Sequence, residues 1–174
     1  MAEKPTEVEQ LYGKNHWDDN NYQSLYNNYL DKPWKRGLEI GFAWSMSARA
    51  FLDALPNATL LSLDMNDAME RAKSMKDYGK RWELKLGDSS TLMKKLNEKF
   101  DYIYIDGDHT YEGVKKDLEQ APRLLAEGGQ IICDDYGNAE SIRIAVSEFC
   151  DEYGFYAAGP IANNSNGAMV LCKS

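Results

Sequence analysis

Three aspartates and a histidine in the second half of the chain have the types and spacing that acid–base or metal chemistry requires. Asp106 closes the run Phe100-Asp101-Tyr102-Ile103-Tyr104-Ile105, and His109 follows three residues later. Further on, Gly128-Gly129-Gln130-Ile131-Ile132-Cys133 ends in Asp134 and Asp135. Each half is an apolar run that stops abruptly at carboxylates. If the two runs are neighbouring parallel strands, their carboxyl ends lie side by side, where open α/β sheets bind ligands. Asp106, Asp134 and Asp135 would then converge. Carboxylates sharing one crevice repel each other unless they are protonated or share a cation. A histidine, with an unperturbed pKa near ~6.5, can move a proton at neutral pH. Taken alone, these residues are equally compatible with a metal hydrolase or with a set of helix caps.

Strand and helix patterns alternate from residue 36 onward. Residues 38–41 read as a short buried strand, and 46–55 as a helix stopped by Pro56-Asn57. The second strand is 59–64, followed by a polar-faced helix over 67–78, a third strand over 82–88 and a short helix over 91–100. The fourth strand is 101–106. Residues 111–126 carry Val114, Leu118, Ala121 and Leu125 on one stripe, with Pro122 expected to kink that helix and Gly128-Gly129 to close it. The fifth strand is 130–133, and Ile142, Ala145, Val146 and Phe149 form the core face of the next helix. Residues 153–158 and 168–172 are the last strands, and Asn166-Gly167 between them is a hairpin signal. The pattern predicts a Rossmann-like, doubly wound seven-stranded α/β sheet, mostly parallel, with an antiparallel last strand. Residues 1–34 differ in kind, being rich in Asn, Asp and Tyr, with His16, Trp17 and Trp34. They are expected to form a helical arm, clearest over 22–30, that packs on the sheet edge or lids the crevice; residues 35–174 form the domain proper.

The 174 residues suffice for one domain with a sizeable core, and 43% apolar with 28% charged residues is ordinary for a soluble protein. No apolar run approaches the ~20 residues needed to cross a bilayer, and Met1-Ala2-Glu3-Lys4-Pro5-Thr6-Glu7 does not read as a signal peptide. Cys133, Cys150 and Cys172 are an odd number without CxxC spacing, which argues for reduced thiols in a cytoplasmic protein. A net charge of -8 repels phosphate backbones, so nucleic acid is not an expected partner. Arg71, Lys73, Lys76, Lys80 and Arg81 are interleaved with Glu70 and Asp77 and read as a solvated helix face and its end. Homo-oligomerisation is left open.

The strand-to-helix turns carry further candidates. Leu38-Glu39-Ile40-Gly41-Phe42-Ala43-Trp44-Ser45-Met46-Ser47 places a glycine where a backbone can approach a ligand and hydroxyls at a helix start. It is not GxGxxG, so a diphosphate cradle is poorly supported. Asp64 ends the second strand, where an acid either accepts ribose hydroxyls or caps the turn at Asn66-Asp67. Gly87-Asp88-Ser89 ends the third, suited to an adenine amino group or to capping the next helix.

Together, Glu39-Ile40-Gly41, Asp64, Gly87-Asp88-Ser89, Asp106 and the terminal hairpin resemble the class I S-adenosylmethionine-dependent methyltransferases over roughly residues 36–172. Ile105-Asp106-Gly107-Asp108-His109-Thr110-Tyr111 with Cys133-Asp134-Asp135-Tyr136 is similar to the metal-dependent O-methyltransferase branch, which includes catechol-type and macrolide-sugar enzymes. The stretch from Ile142 through Arg143 to Phe149 is similar to the macrolide-sugar group too. The resemblance implies that Glu39, Gly41 and the turn from Phe42 through Ser45 to Ser47 hold the methionine part of the cofactor. Asp64 takes the ribose, Asp88 and Ser89 the adenine, and Met65 and Asp106 complete the cofactor set. It further implies Asp106, Asp134 and Asp135 as ligands of Mg2+ or another divalent cation, and His109 as the general base. Ser45 departs from the family's usual second glycine, so altered cofactor contacts are expected there. The expected activity is magnesium-dependent methylation of a hydroxyl on a small molecule, whether a sugar, a polyketide glycoside or a phenol. The alternatives are a metal-independent methyltransferase, a nicotinamide-dependent oxidoreductase and a non-catalytic nucleotide-binding protein. The missing GxGxxG and the final hairpin disfavour the oxidoreductase; the set Asp106, His109, Asp134 and Asp135 disfavours the binding protein.

Overall fold

In a computed structural model, residues 20–66, 69–161 and 166–174 are described. His16 and Trp17 of the arm and most of the loop before Asn166-Gly167 lie outside them. Strands and helices alternate as β1 (Arg36–Ile40), α2 (Met46–Ala54), β2 (Thr59–Asp64), α3 (Met69–Ala72), β3 (Trp82–Leu86), α4 (Ser89–Lys95), β4 (Phe100–Ile105), α5 (Tyr111–Leu124), β5 (Leu125–Cys133), α6 (Glu140–Tyr153), β6 (Phe155–Pro160) and β7 (Met169–Lys173), preceded by α1 (Asn20–Tyr29). The strands form one seven-stranded sheet in the order β3-β2-β1-β4-β5-β7-β6. Pairings from β3 across to β5 are parallel. β7 runs antiparallel to both β5 and β6, so it alone opposes the rest. This is the Rossmann-like sheet with an antiparallel last strand that the sequence pattern predicts.

Both faces of the sheet are covered, so its strands alternate between two apolar layers. Leu38, Ile40, Ile103, Ile105 and Ile131 pack against α4, α5 and α6 through Met93, Leu118 and Val146. Tyr102, Tyr104, Ile132 and Leu60 pack on the other face against α1 and α2 through Leu25, Tyr29 and Phe51. The described part of the arm therefore lies on a sheet face. Tyr29 and Tyr102 share a hydroxyl–hydroxyl bond of 2.5 Å, and Phe51 stacks on Tyr102 at 4.9 Å.

Several boundaries differ from the sequence pattern for identifiable reasons. β5 starts at Leu125 because that residue pairs with Phe100, after which the register shifts to Tyr102–Gln130. α5 runs through Pro122 and ends at Leu124, two residues short of the expected 126. The segment expected as one helix over 67–78 is a short α3 followed by a 3-10 stretch, Lys73–Arg81, broken at Gly79 (φ 54°, ψ -126°). With Met75 its only buried residue, that stretch has no apolar stripe to hold an α-helix. Arg81, expected on a solvated face, instead donates from Nη1 to the carbonyls of Leu52, Leu55 and Ala58 at the end of α2. The carbonyl of Leu52, in the last turn of α2, would otherwise have no intrahelical partner. The three cysteines are free, and Cys133 is buried. Among the described residues, no helix is long and apolar enough to cross a membrane.

Candidate active site

The candidate residues meet because the sheet's hydrogen-bond ladder runs on past the strand ends. Gly87 N–H donates to Asp64 O (2.9 Å), Gly41 N–H to Leu63 O (2.8 Å), Asp106 N–H to Ile40 O (2.9 Å) and Asp134 N–H to Ile105 O (3.0 Å). One row of residues at and just past the strand ends results, from Gly87 through Asp64, Gly41 and Asp106 to Asp134. The chain can turn at the centre of this row only with glycine. Gly41 has φ +89°, and a Cβ there would lie 2.0 Å from the Asp106 carbonyl oxygen.

Beside the row lies a cleft of about 450 Å³, within the ~300–1,000 Å³ of small-molecule sites. Gly41, Asp64, Met65, Asp88, Ser89 and Asp106, six of the cofactor candidates, line it. Glu39, Phe42, Ser45 and Ser47 do not; each is almost fully buried. Ser45 takes φ 67°, the left-handed region where the family's glycine would be unstrained, and its hydroxyl meets that of Ser74 at 3.1 Å. Asp64 accepts from the N–H groups of Phe42 (3.1 Å) and Ala43 (3.0 Å) through Oδ2, and from Asn66 N–H (2.8 Å) through Oδ1. It thus ties the first turn to the second while facing the cleft. Asp88 caps α4, accepting from Thr91 N–H at 2.7 Å, and Ser89 donates to Asp117 Oδ1 at 2.6 Å.

At the other end of the row, His109 lies between two carboxylates, 3.3 Å from Asp106 Oδ1 through Nε2 and 3.4 Å from Asp135 Oδ2 through Nδ1. Donor atoms of Asp106, His109 and Asp135 all fall within 4.8 Å of one another. Oxygen donors of this kind suit a hard divalent cation, and imidazole extends the range toward transition metals. Asp134 is not in this group. Its Oδ2 accepts from the Tyr104 hydroxyl and its Oδ1 from Asp135 N–H (2.9 Å). Ser141 Oγ–H anchors the His109 carbonyl at 2.8 Å. Thr110 is the N-cap of α5. Burial pushes Asp106 up to about 6 and raises Asp134. The hydrogen bond to Asp106 holds His109 above its ordinary value.

Glu39 supports the row from beneath. Ser47 and Ser62 hydroxyls each donate to it at 2.5 Å, and Trp82 Nε1–H donates to Ser62 at 3.0 Å. Burial nevertheless pushes its carboxyl up to about 7. Because the folded value exceeds the unfolded one, the native state holds the extra proton between them. Glu39 therefore favours folding most at pH below the unfolded value, and this contribution declines as pH rises toward 7, then levels off. Glu39→Gln should gain stability relative to wild type across that window, by on the order of 2 kcal/mol. Urea midpoints of the two proteins across this pH range measure it, and a pH-independent difference would refute it.

Several cleft residues escaped the sequence reading. Arg71 stands on its wall beside Trp44 of the first turn, its guanidinium 5.2 Å from that ring's centre, so it is not simply part of a solvated helix face. Asp117 had a legible signal, a carboxylate on the apolar stripe of Val114, Leu118 and Ala121.

Comparison with known proteins agrees with this architecture. The model of the family described as "Methyltransferase domain" matches residues 38–136. No curated protein matches the chain. Among solved structures, a Staphylococcus aureus protein provisionally assigned as a caffeoyl-CoA O-methyltransferase is 16% identical, with TM-score 0.77 over 99% of this chain and 93% of that one. The Podospora anserina methyltransferase PaMTH1, solved with S-adenosylhomocysteine, is 20% identical, with TM-score 0.75 over 96% and 86%. The O-methyltransferase TomG of Streptomyces achromogenes, involved in tomaymycin synthesis and solved with S-adenosylmethionine, is 14% identical, with TM-score 0.70 over 97% and 89%. At such identities these likenesses establish the fold. The family match spans more than half of the chain and every strand-end residue from Gly41 to Asp135, and on that ground the chain belongs to the methyltransferase-domain family, as a class I S-adenosylmethionine-dependent methyltransferase.

Proposed function

We propose that this methyltransferase transfers its methyl group to a hydroxyl of a small molecule, with the aid of a divalent cation. The observation that carries this reading is the cluster of Asp106, His109 and Asp135 at the mouth of the cofactor cleft. Asp106 belongs to both cluster and cleft wall, so an acceptor oxygen held at the cluster is adjacent to the methyl donor. Proximity of this kind supplies much of the rate of a group transfer. The O-methyltransferases among the structural neighbours are consistent with it.

Asp106 and Asp135 would hold the cation, with Asp134 adjacent in the chain as a further carboxylate. A bound cation lowers the pKa of a coordinated hydroxyl. In the protein as described, both carboxylates stabilise a proton on His109. Once a cation takes up their charge, they no longer do so. His109, through Nε2 or Nδ1, would then accept the proton of the acceptor hydroxyl, and the oxygen would form its bond to the methyl carbon in line as that carbon's bond to the sulfonium sulfur breaks. The cofactor leaves as S-adenosylhomocysteine.

A second reading, a metal-independent methyltransferase, is favoured by one observation: His109 already balances Asp106 and Asp135 through its contacts at 3.3 and 3.4 Å. S-adenosylhomocysteine formation with a catechol and with a simple glycoside as acceptors separates the two. Turnover is expected with Mg2+ or Mn2+, to be lost in chelator and to return when the cation is restored. Undiminished turnover in chelator overturns the cation-dependent reading. The acceptor itself, a small hydroxylated molecule, is part of this proposal and is tested by the same assay.

A further inference from the structure

We propose that Asp117 selects the adenine base of the cofactor by accepting a hydrogen bond from its exocyclic amino group. The inference rests on S-adenosylmethionine occupying the cleft described above. The ribose acid Asp64 sits between Gly41 and Gly87 in the strand-end row. The base must therefore extend toward the wall formed by Gly87, Asp88, Ser89, Gly113 and Asp117. Met65 at that edge is 71% exposed, an apolar side chain that a flat base would cover.

Asp88 is poorly placed to be the sole reader of the base. Its Oδ1 is occupied by Thr91 N–H at 2.7 Å and Ser90 Oγ–H at 2.8 Å, and the residue faces solvent. Asp117 differs in each respect. It is 2% exposed yet lines the cleft. Ser89 Oγ–H is the one hydrogen-bond donor it has among the described residues, and it occupies Oδ1. Oδ2 lies 3.7 Å from where a side chain on Gly107 would begin, so the missing side chain leaves room in front of it. Among the described residues no donor meets Oδ2, and an amino N–H from the ligand would supply one. The groups facing Asp117 are Asp88, Asp108 and Lys116, so two of its three charged neighbours repel rather than balance it. Burial together with them raises its carboxyl to about 6.

Replacing adenine by hypoxanthine puts a carbonyl oxygen where the amino group was, so acceptor meets acceptor. Calorimetry with S-adenosylhomocysteine and S-inosylhomocysteine at about pH 8, where the carboxyl is mostly ionised, tests this directly. Wild type is expected to prefer the adenosyl ligand by roughly tenfold or more. Asp117→Ala should lose most of that preference by weakening the adenosyl ligand alone. Asp117→Asn, whose Oδ1 keeps the Ser89 bond and so turns its NH2 to the base, should erase or reverse it. Asp117→Leu fills the same space and serves the comparison if the alanine variant does not fold. If Asp117→Ala or Asp117→Leu weakens both ligands equally, or leaves the preference intact, Asp117 merely ties α4 to α5 and the inference falls. Failure of wild type to bind S-adenosylhomocysteine at all would instead overturn occupancy of the cleft by that cofactor.

Discussion

His109→Ala is expected to lower kcat by about 10²- to 10⁴-fold, the range for a lost general base, while S-adenosylhomocysteine binds as tightly as to wild type. The split follows from position. His109 contacts Asp106 and Asp135 but does not line the cofactor cleft. A side chain acting on the acceptor proton contributes to the transition state and little to cofactor binding, so kcat and kcat/KM for the acceptor should fall together. The backbone of this loop is held independently of the imidazole, by Ser141 Oγ–H on the His109 carbonyl and by the Thr110 cap of α5. The fold should therefore survive the substitution. Recovery of turnover at higher cation concentration would make His109 a metal ligand and not a base. Unchanged turnover would remove it from the chemistry altogether.

Gly41→Ala should be the most damaging single methyl addition in the site. A left-handed φ costs an alanine about 1–2 kcal/mol. Its Cβ would also meet the Asp106 carbonyl at 2.0 Å, a backbone atom held in the ladder that cannot swing aside. Overpacking of that kind costs about 1–3 kcal/mol more. The sum, about 2–5 kcal/mol, is a large share of the ~5–15 kcal/mol that typically separates folded from unfolded protein. Gly154→Ala is the control. Gly154 ends α6 at φ +69°, but nothing lies within 4 Å of its added Cβ, so only the conformational cost of about 1–2 kcal/mol remains. Urea unfolding of the two variants measures the difference. Equal destabilisation would show that the backbone at Asp106 yields and that the close approach is not essential.

The architecture was legible because it depends on local pattern. Runs such as Thr59–Asp64 and Phe100–Ile105 are apolar on both faces, which marks buried parallel strands, and the residue after each strand necessarily lands on the ligand-binding edge. Gly41, Asp64, Asp88 and Asp106 could thus be placed together from sequence, and the cleft includes all four. Less legible were boundaries that depend on partners. β5 begins at Leu125 only because Phe100 is there to pair with it. The segment after β2 gives way to a 3-10 turn because only Met75 is buried.

The sequence by itself determined the order of strands and helices, the glycine turn and the line of carboxylates at the strand ends. These follow from hydrophobic period and from the fixed polarity of a parallel sheet. Only the tertiary structure decided which way each carboxylate turns. Glu39 is sealed under the row by Ser47 and Ser62, and Asp134 is taken by Tyr104, while Asp135 joins Asp106 at His109. It also brought Asp117 of α5 to the cleft beside Ser89. Side-chain direction and hydrogen-bond partnership arise from residues far apart in the chain, and no local pattern encodes them.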